Sequence, residues 1–169
     1  MNIRQENIKD YQEVYNVIKL AFETSNNKDG NEQDLVVELR KSNNFIKELS
    51  LVAIIDDSIV GYILFTKINI GEYEELALAP LAVLPQYQKQ GIGGELIKEG
   101  HRIAKKLGYH YSVVLGSEKY YPQYGYVKAT TYGIKPPFKI PTENFMAIKL
   151  NKTNKKIQGT VKYAKEFNL

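Results

Sequence analysis

The sequence contains no cysteine, which removes disulfides, thiolate metal sites and a cysteine nucleophile from consideration. Histidine is nearly as scarce. His101 and His110 have no partners at ligand spacing, so no metal site is expected. Long apolar runs are missing too: nothing approaches the length of a bilayer span, and Met1-Asn2-Ile3-Arg4-Gln5-Glu6 has no apolar signal core. A cytoplasmic protein with no membrane partner is the expectation. Net charge is only +4. Part of it comes from Lys149, Lys152, Lys155, Lys156, Lys162 and Lys165, which reads as solvated surface rather than a nucleic-acid footprint. Internal repeats and linkers are also lacking, so 1–169 is read as one domain with room for a sizeable core. The sequence carries no signature of oligomeric state.

What is present centres on Leu78 to Ile97, which reads as a strand, a short loop and the start of a helix. Ile92, Leu96, Ile97, Ile103, Ala104 and Leu107 form one apolar stripe at helical spacing. Gly108 suits a left-handed residue just past the helix. Gly91, Gly93 and Gly94 open the backbone at the helix start, where unpaired N–H groups and the helix dipole favour an anion such as phosphate. Lys89 adds a full charge nearby. Neither the P-loop nor the dinucleotide fingerprint fits, since no Gly-Lys-Ser/Thr follows and Leu96 holds the place of the third glycine.

Ile3-Arg4-Gln5 predicts a first strand, and Asp10 predicts an N-cap with Glu13 completing the box of a helix through Phe22. The polar stretch 23–31 predicts a loop and a candidate lid before a second helix bearing Leu35, Val36 and Leu39. Strands are predicted over 50–55, 59–70 and 74–84, with a hairpin turn at Asp56-Asp57-Ser58. Pro80 lies inside the third and should bulge it, leaving free N–H groups near Leu81 and Val83. Tyr111 to Leu115 reads as a buried strand parallel to the third, with a cleft where the pair diverges.

The pattern Gln88-x-x-Gly91-x-Gly93, after a strand with Leu81-Ala82-Val83, resembles the pyrophosphate motif of the GCN5-related N-acetyltransferases (GNAT). A second segment, Tyr121-Pro122-Gln123-Tyr124-Gly125-Tyr126, is similar to the family's Tyr-x-x-aromatic-Gly-aromatic motif. Val114-Leu115-Gly116-Ser117 and the tail 136–163 resemble the YhbS-like subgroup, so the likeness spans nearly the whole chain. The resemblance implies an α/β (α+β) fold: a mixed, mostly antiparallel central sheet with a splayed parallel strand pair and flanking helices. It also implies acetyl-CoA as co-substrate. Gln88, Lys89, Gln90, Gly91, Ile92, Gly93 and Gly94 would hold the diphosphate, and Leu81, Ala82 and Val83 the acetyl carbonyl and pantetheine. Ser117, Tyr120 and Tyr124 would lie beside the thioester. One departure stands out: Gly116-Ser117 occupies the region where many members carry an asparagine.

The implied reaction is direct attack of an amine, on a small molecule or a protein, on the thioester. Leu81 is aligned with the oxyanion donor and Tyr121 with the general acid, with Tyr120 as the neighbour easily mistaken for it. The proton acceptor is left open among Glu72, Glu74, Glu75, Glu23 and Glu32. A non-catalytic acyl-CoA-binding module would bind without turnover. A basic nucleic-acid binder would show salt-dependent retention on DNA. The presence of both the loop and Tyr121 favours the enzyme.

Overall fold

The computed structural model describes residues 1–23 and 30–169. Most of the loop read as a candidate lid, 24–29, lies outside them. The sheet starts with β1 (Asn2–Gln5), β2 (Phe45–Ile55), β3 (Ser58–Ile70) and β4 (Tyr73–Val83), each antiparallel to its predecessor. β5 (Tyr111–Leu115) pairs in parallel with β4, and β8 (Phe145–Lys149) and β6 (Val127–Lys128) complete the order β1-β2-β3-β4-β5-β8-β6. β9 (Gly159–Lys162) runs beside the far end of β3 and carries β7 (Ile134–Lys135) in parallel. The expected mixed, mostly antiparallel sheet is thus observed. β2 starts well before the predicted Ser50, as far back as Phe45, with a register shift between the two.

Alternation along β3 sorts the core. Tyr62 and Leu64 face α1 (Tyr11–Glu23) and α2 (Glu32–Leu39), while Ile63 and Phe65 face α3 (Ile92–Lys106). The β2–β3 turn holds Asp56 and Asp57 at φ 49° and 64°, the geometry that matches the right-handed twist of a hairpin.

Two expectations at helix ends need correction. The first helical turn is capped by Asn7, not Asp10. The Asn7 side chain accepts from Lys9 N, and Asp10 Oδ2 answers by accepting from Asn7 N at 2.8 Å. A single-turn 3-10 helix, Ile8–Asp10, therefore precedes α1. That frees Glu13, whose carboxylate accepts from Ile59 N at 2.7 Å and ties α1 to β3. Leu107 is not in the buried stripe: it follows α3 with 44% of its surface exposed, and Gly108 beyond it takes the expected left-handed form at φ 92°.

A buried ionic cluster fixes α2. The Glu6 carboxylate accepts from Arg40 Nε (2.9 Å), Arg40 Nη2 (3.0 Å) and Ser50 Oγ (2.6 Å), while the Arg40 guanidinium lies 3.9 Å over the Tyr11 ring. With every carboxylate oxygen served, the pair avoids the penalty of an unpaired buried charge.

Candidate functional site

Pro80 bulges β4. Ile63 opposes Leu81 and Phe65 opposes Leu78, so Leu64 alone faces Ala79 and Pro80. On its other edge β4 pairs with β5 only at Leu76–Ser112 and Ala77–Val113. Beyond Ala77 the two strands have no ladder between them. Two cavities open where they part.

The smaller cavity, about 520 Å³, is walled by Leu81, Val83, Tyr87, Gln88, Lys89, Gly91, Ile92, Gly93, Tyr120, Gln123 and Tyr124. It sits at the start of α3. Gly91 has φ 86° there, a conformation that explains glycine on its own. Gly93 is glycine for a different reason: a Cβ would stand 2.5 Å from Tyr120 Oη. Gly94 is likewise covered by the Tyr124 ring. The loop glycines thus serve tyrosine packing as well as backbone access. Gln88 Nε2 donates to Val83 O at 3.0 Å and ties the loop to the end of β4.

The larger cavity, about 690 Å³, lies on the other side. Its walls include Phe22, Glu32, Asp34, Leu35, Glu38, Leu78, Pro80, Leu81, Leu115, Tyr121, Phe138, Tyr163 and residues 165–169. Leu81 lines both cavities.

The adjacent tyrosines part company at this junction. Tyr120 faces the glycine loop and Tyr121 the larger cavity. Their rings meet edge to face at 5.1 Å. Tyr121 also meets Tyr126 at 5.7 Å and covers Gly116, where a Cβ would come within 2.5 Å of Tyr121 Cε2. A side chain at 116 would displace Tyr121, which accounts for the glycine there. Burial alone pushes the Tyr121 phenol up to about 12. Tyr120 is raised further, by burial and then by Tyr124.

Other residues singled out in the sequence lie elsewhere. The Ser117 hydroxyl accepts from Lys119 N at 3.1 Å, and Ser117 lines neither cavity. Gln90 turns back to Gln86 O at 3.3 Å, and Ala82 is buried against α1 and α2. Glu75, one of the candidate proton acceptors, is 1% exposed and anchors the α3–β5 turn. It accepts from His110 N (2.7 Å) and Tyr111 N (3.0 Å), and its Oε2 lies 3.0 Å from His110 Nδ1. Glu72 and Glu74 are exposed and line neither cavity. Glu32 does line the larger cavity, together with Asp34, Glu38 and Glu166, which the sequence reading missed. Asp34 and Glu38 share one face of α2 at i, i+4 spacing, but nothing local groups them with Glu166 near the other end of the chain. Among the described residues no cluster of histidine, cysteine, aspartate or glutamate could hold a metal, and no helix is long and apolar enough to cross a membrane.

Residues 11–126 match the family model described as the acetyltransferase (GNAT) family. The chain is 39% identical over 118 residues to the uncharacterized N-acetyltransferase YjhQ of Escherichia coli K12, covering 67% of this chain and 65% of that one. It therefore spans about two-thirds of YjhQ. It is 30% identical over 141 residues to the uncharacterized N-acetyltransferase YhbS of Escherichia coli K12, covering 81% and 83%. The crystal structure of YhbS from Escherichia coli in complex with CoA superposes with a TM-score of 0.88 at 26% identity, over 99% of this chain and 92% of that one. A GNAT family acetyltransferase from Brucella melitensis in complex with acetyl-CoA superposes with a TM-score of 0.80 at 31% identity, over 98% and 97%.

Proposed function

The chain belongs to the GNAT family of acetyltransferases, and from that membership we propose that it moves an acetyl group from acetyl-CoA to an amine by direct attack in a ternary complex. The observation that carries this reading is the meeting of the two cavities at Leu81. One cavity has the glycine loop of α3 for a floor and suits a diphosphate with its pantetheine arm. The other is walled by Tyr121 and has room for an acceptor. CoA and acetyl-CoA are named in the two similar structures.

In the proposed reaction the neutral amine forms the C–N bond, the C–S bond breaks, and the proton lost by nitrogen balances the one gained by sulfur. The Leu81 main-chain N–H serves the oxyanion, a contribution of about 3 kcal/mol. Val83 holds the pantetheine. Tyr121 faces the departing sulfur. Against a thiol near 8.5, a phenol pushed up to about 12 is too weak an acid to give up its proton outright; the mismatch of roughly 3.5 units is about 5 kcal/mol. Tyr121 therefore acts as a firmly protonated hydrogen-bond donor to the developing thiolate. Over the whole reaction the proton that nitrogen loses is the one that sulfur gains, and Tyr121 ends protonated.

The test is Tyr121→Phe, assayed by release of free thiol with a panel of amines. Turnover should fall by about ten- to a hundredfold, at or below the lower end of general-acid effects, while CoA affinity measured by calorimetry stays within twofold. Equal turnover in the variant would remove Tyr121 from the mechanism. Wild-type protein that binds acetyl-CoA but acetylates no amine would favour the non-catalytic binding module.

A further inference from the structure

A donor hydroxyl must point at the sulfur, yet no hydrogen bond among the described residues holds the hydroxyl of Tyr121, and burial alone raises it. Its direction comes from the packing of its ring. Tyr120 meets that ring edge to face at 5.1 Å, Gly116 leaves room for its Cε2 edge, and Tyr126 meets it edge to face at 5.7 Å. Tyr120 is itself a half-buried wall of the smaller cavity, and Gly116 has no side chain. Tyr126 is the fixed member. It is 1% exposed, and its Oη lies 2.8 Å from Ser112 Oγ and 3.0 Å from His101 Nε2. Its ring also packs on the His101 imidazole at 5.3 Å. Ser112 sits in the two-rung ladder that joins β4 to β5, at the base of the splay, and His101 is in α3. One hydroxyl thus ties the Tyr126 ring to both β5 and α3. Gly125, at φ 98°, ends the 3-10 turn Tyr121–Tyr124 and brings the Tyr126 ring back against Tyr121. Edge-to-face contact is directional, so a fixed Tyr126 ring limits how the Tyr121 ring can tilt.

We propose that Tyr126 is a positioning residue: its ring, fastened by Ser112 and His101, holds the Tyr121 hydroxyl in line with the departing sulfur. The inference rests on the acetyl-transfer reading above and adds the group that aims its donor. A reacting group misplaced by about 1 Å costs up to about a hundredfold in rate. Tyr126 lines neither cavity, so its effect falls on kcat and not on the binding of either substrate.

The test measures thiol release from acetyl-CoA with phenethylamine, spermidine and a peptide α-amine, in wild type, Tyr126→Leu and Tyr126→Phe, and in each variant combined with Tyr121→Phe. With the amine that wild type uses fastest, Tyr126→Leu should lower kcat about five- to tenfold, while KM for acetyl-CoA and for the amine stay within about twofold. Tyr126→Phe keeps the ring but loses both anchors, and should lower kcat by about two- to threefold. Neither change should lower kcat further in the Tyr121→Phe background, where the hydroxyl being aimed is gone. A loss caused by general loosening of the fold would persist there. If the leucine variant does not fold, the phenylalanine variant decides by the same comparisons. Unchanged kcat in either variant, a higher KM in place of a lower kcat, or an undiminished loss in the Tyr121→Phe background would each overturn the inference and leave the acetyl-transfer reading standing. Wild-type turnover in Tyr121→Phe itself would remove the donor, and this inference with it. A wild type that acetylates none of the three amines would instead overturn the acetyl-transfer reading.

Discussion

Gly93→Ala separates binding from folding. Gly93 lies in the first turn of α3, where alanine is intrinsically better than glycine by about 0.8–1.0 kcal/mol. Against that gain stands the Tyr120 hydroxyl, 2.5 Å from where the new methyl would sit. Relieving such an overlap costs about 1–3 kcal/mol. The balance runs from roughly neutral to about 2 kcal/mol destabilising, and at about 2–4 °C per kcal/mol for a chain of this length the melting temperature should fall by less than about 8 °C. Binding should suffer more. The methyl and the displaced Tyr120 both intrude on the smaller cavity, at the amides proposed to hold the diphosphate. Loss of one hydrogen bond to a charged group is about 1.5–3 kcal/mol, or roughly ten- to a hundredfold in CoA affinity. Calorimetry with CoA and a thermal melt on the same sample read the two effects. Removing the hydroxyl in Gly93→Ala/Tyr120→Phe leaves Tyr120 Cζ at 3.7 Å, an ordinary contact, so stability should return while affinity stays low. Wild-type affinity in Gly93→Ala would refute the diphosphate assignment. Affinity that recovers in the double variant would place the whole effect on Tyr120.

Arg40→Ala should destabilise the protein by about 3–5 kcal/mol, because it strands the buried Glu6 carboxylate. Chemical denaturation checks this, and a loss under 1 kcal/mol would mean that the cluster contributes little. His101 is pushed down to about 4 by burial, so it stays neutral in the fold while an unfolded chain would protonate it near 6.5. Stability from this group is complete above pH 6.5 and is lost as pH falls toward 4, by about 2 kcal/mol at pH 5. His101→Gln, which retains a hydrogen-bonding group near Tyr126 Oη, should be less acid-sensitive than wild type between pH 7 and 5. Identical slopes would exclude His101 as a source of that sensitivity. Gly100→Ala should be strongly destabilising, since its methyl would overlap the Phe65 ring in the α3 face of the core; a melting temperature equal to wild type would show that Phe65 can give way.

Features set by neighbours within a few residues were legible in the sequence. The α3 stripe, the left-handed Gly108, the Asp56-Asp57 turn and the bulge at Pro80 all follow from helical periodicity, backbone chirality and a missing N–H donor. The glycine loop was legible on the same grounds. Local rules failed where two residues offered the same chemistry. Asn7 and Asp10 can both cap, and the choice fell to Asn7 because Asp10 also pairs with Arg4. Glu75 resembled Glu72 and Glu74 until the α3–β5 turn folded over it. Only tertiary packing turns Tyr120 toward the glycine loop and Tyr121 toward the larger cavity, because the two rings divide the space over Gly93 and Gly116. Glu166 reaches the same cavity as Asp34 because β9 completes the edge of β3 that β2 leaves open. That meeting depends on the register of distant strands, and no periodicity within either segment encodes it.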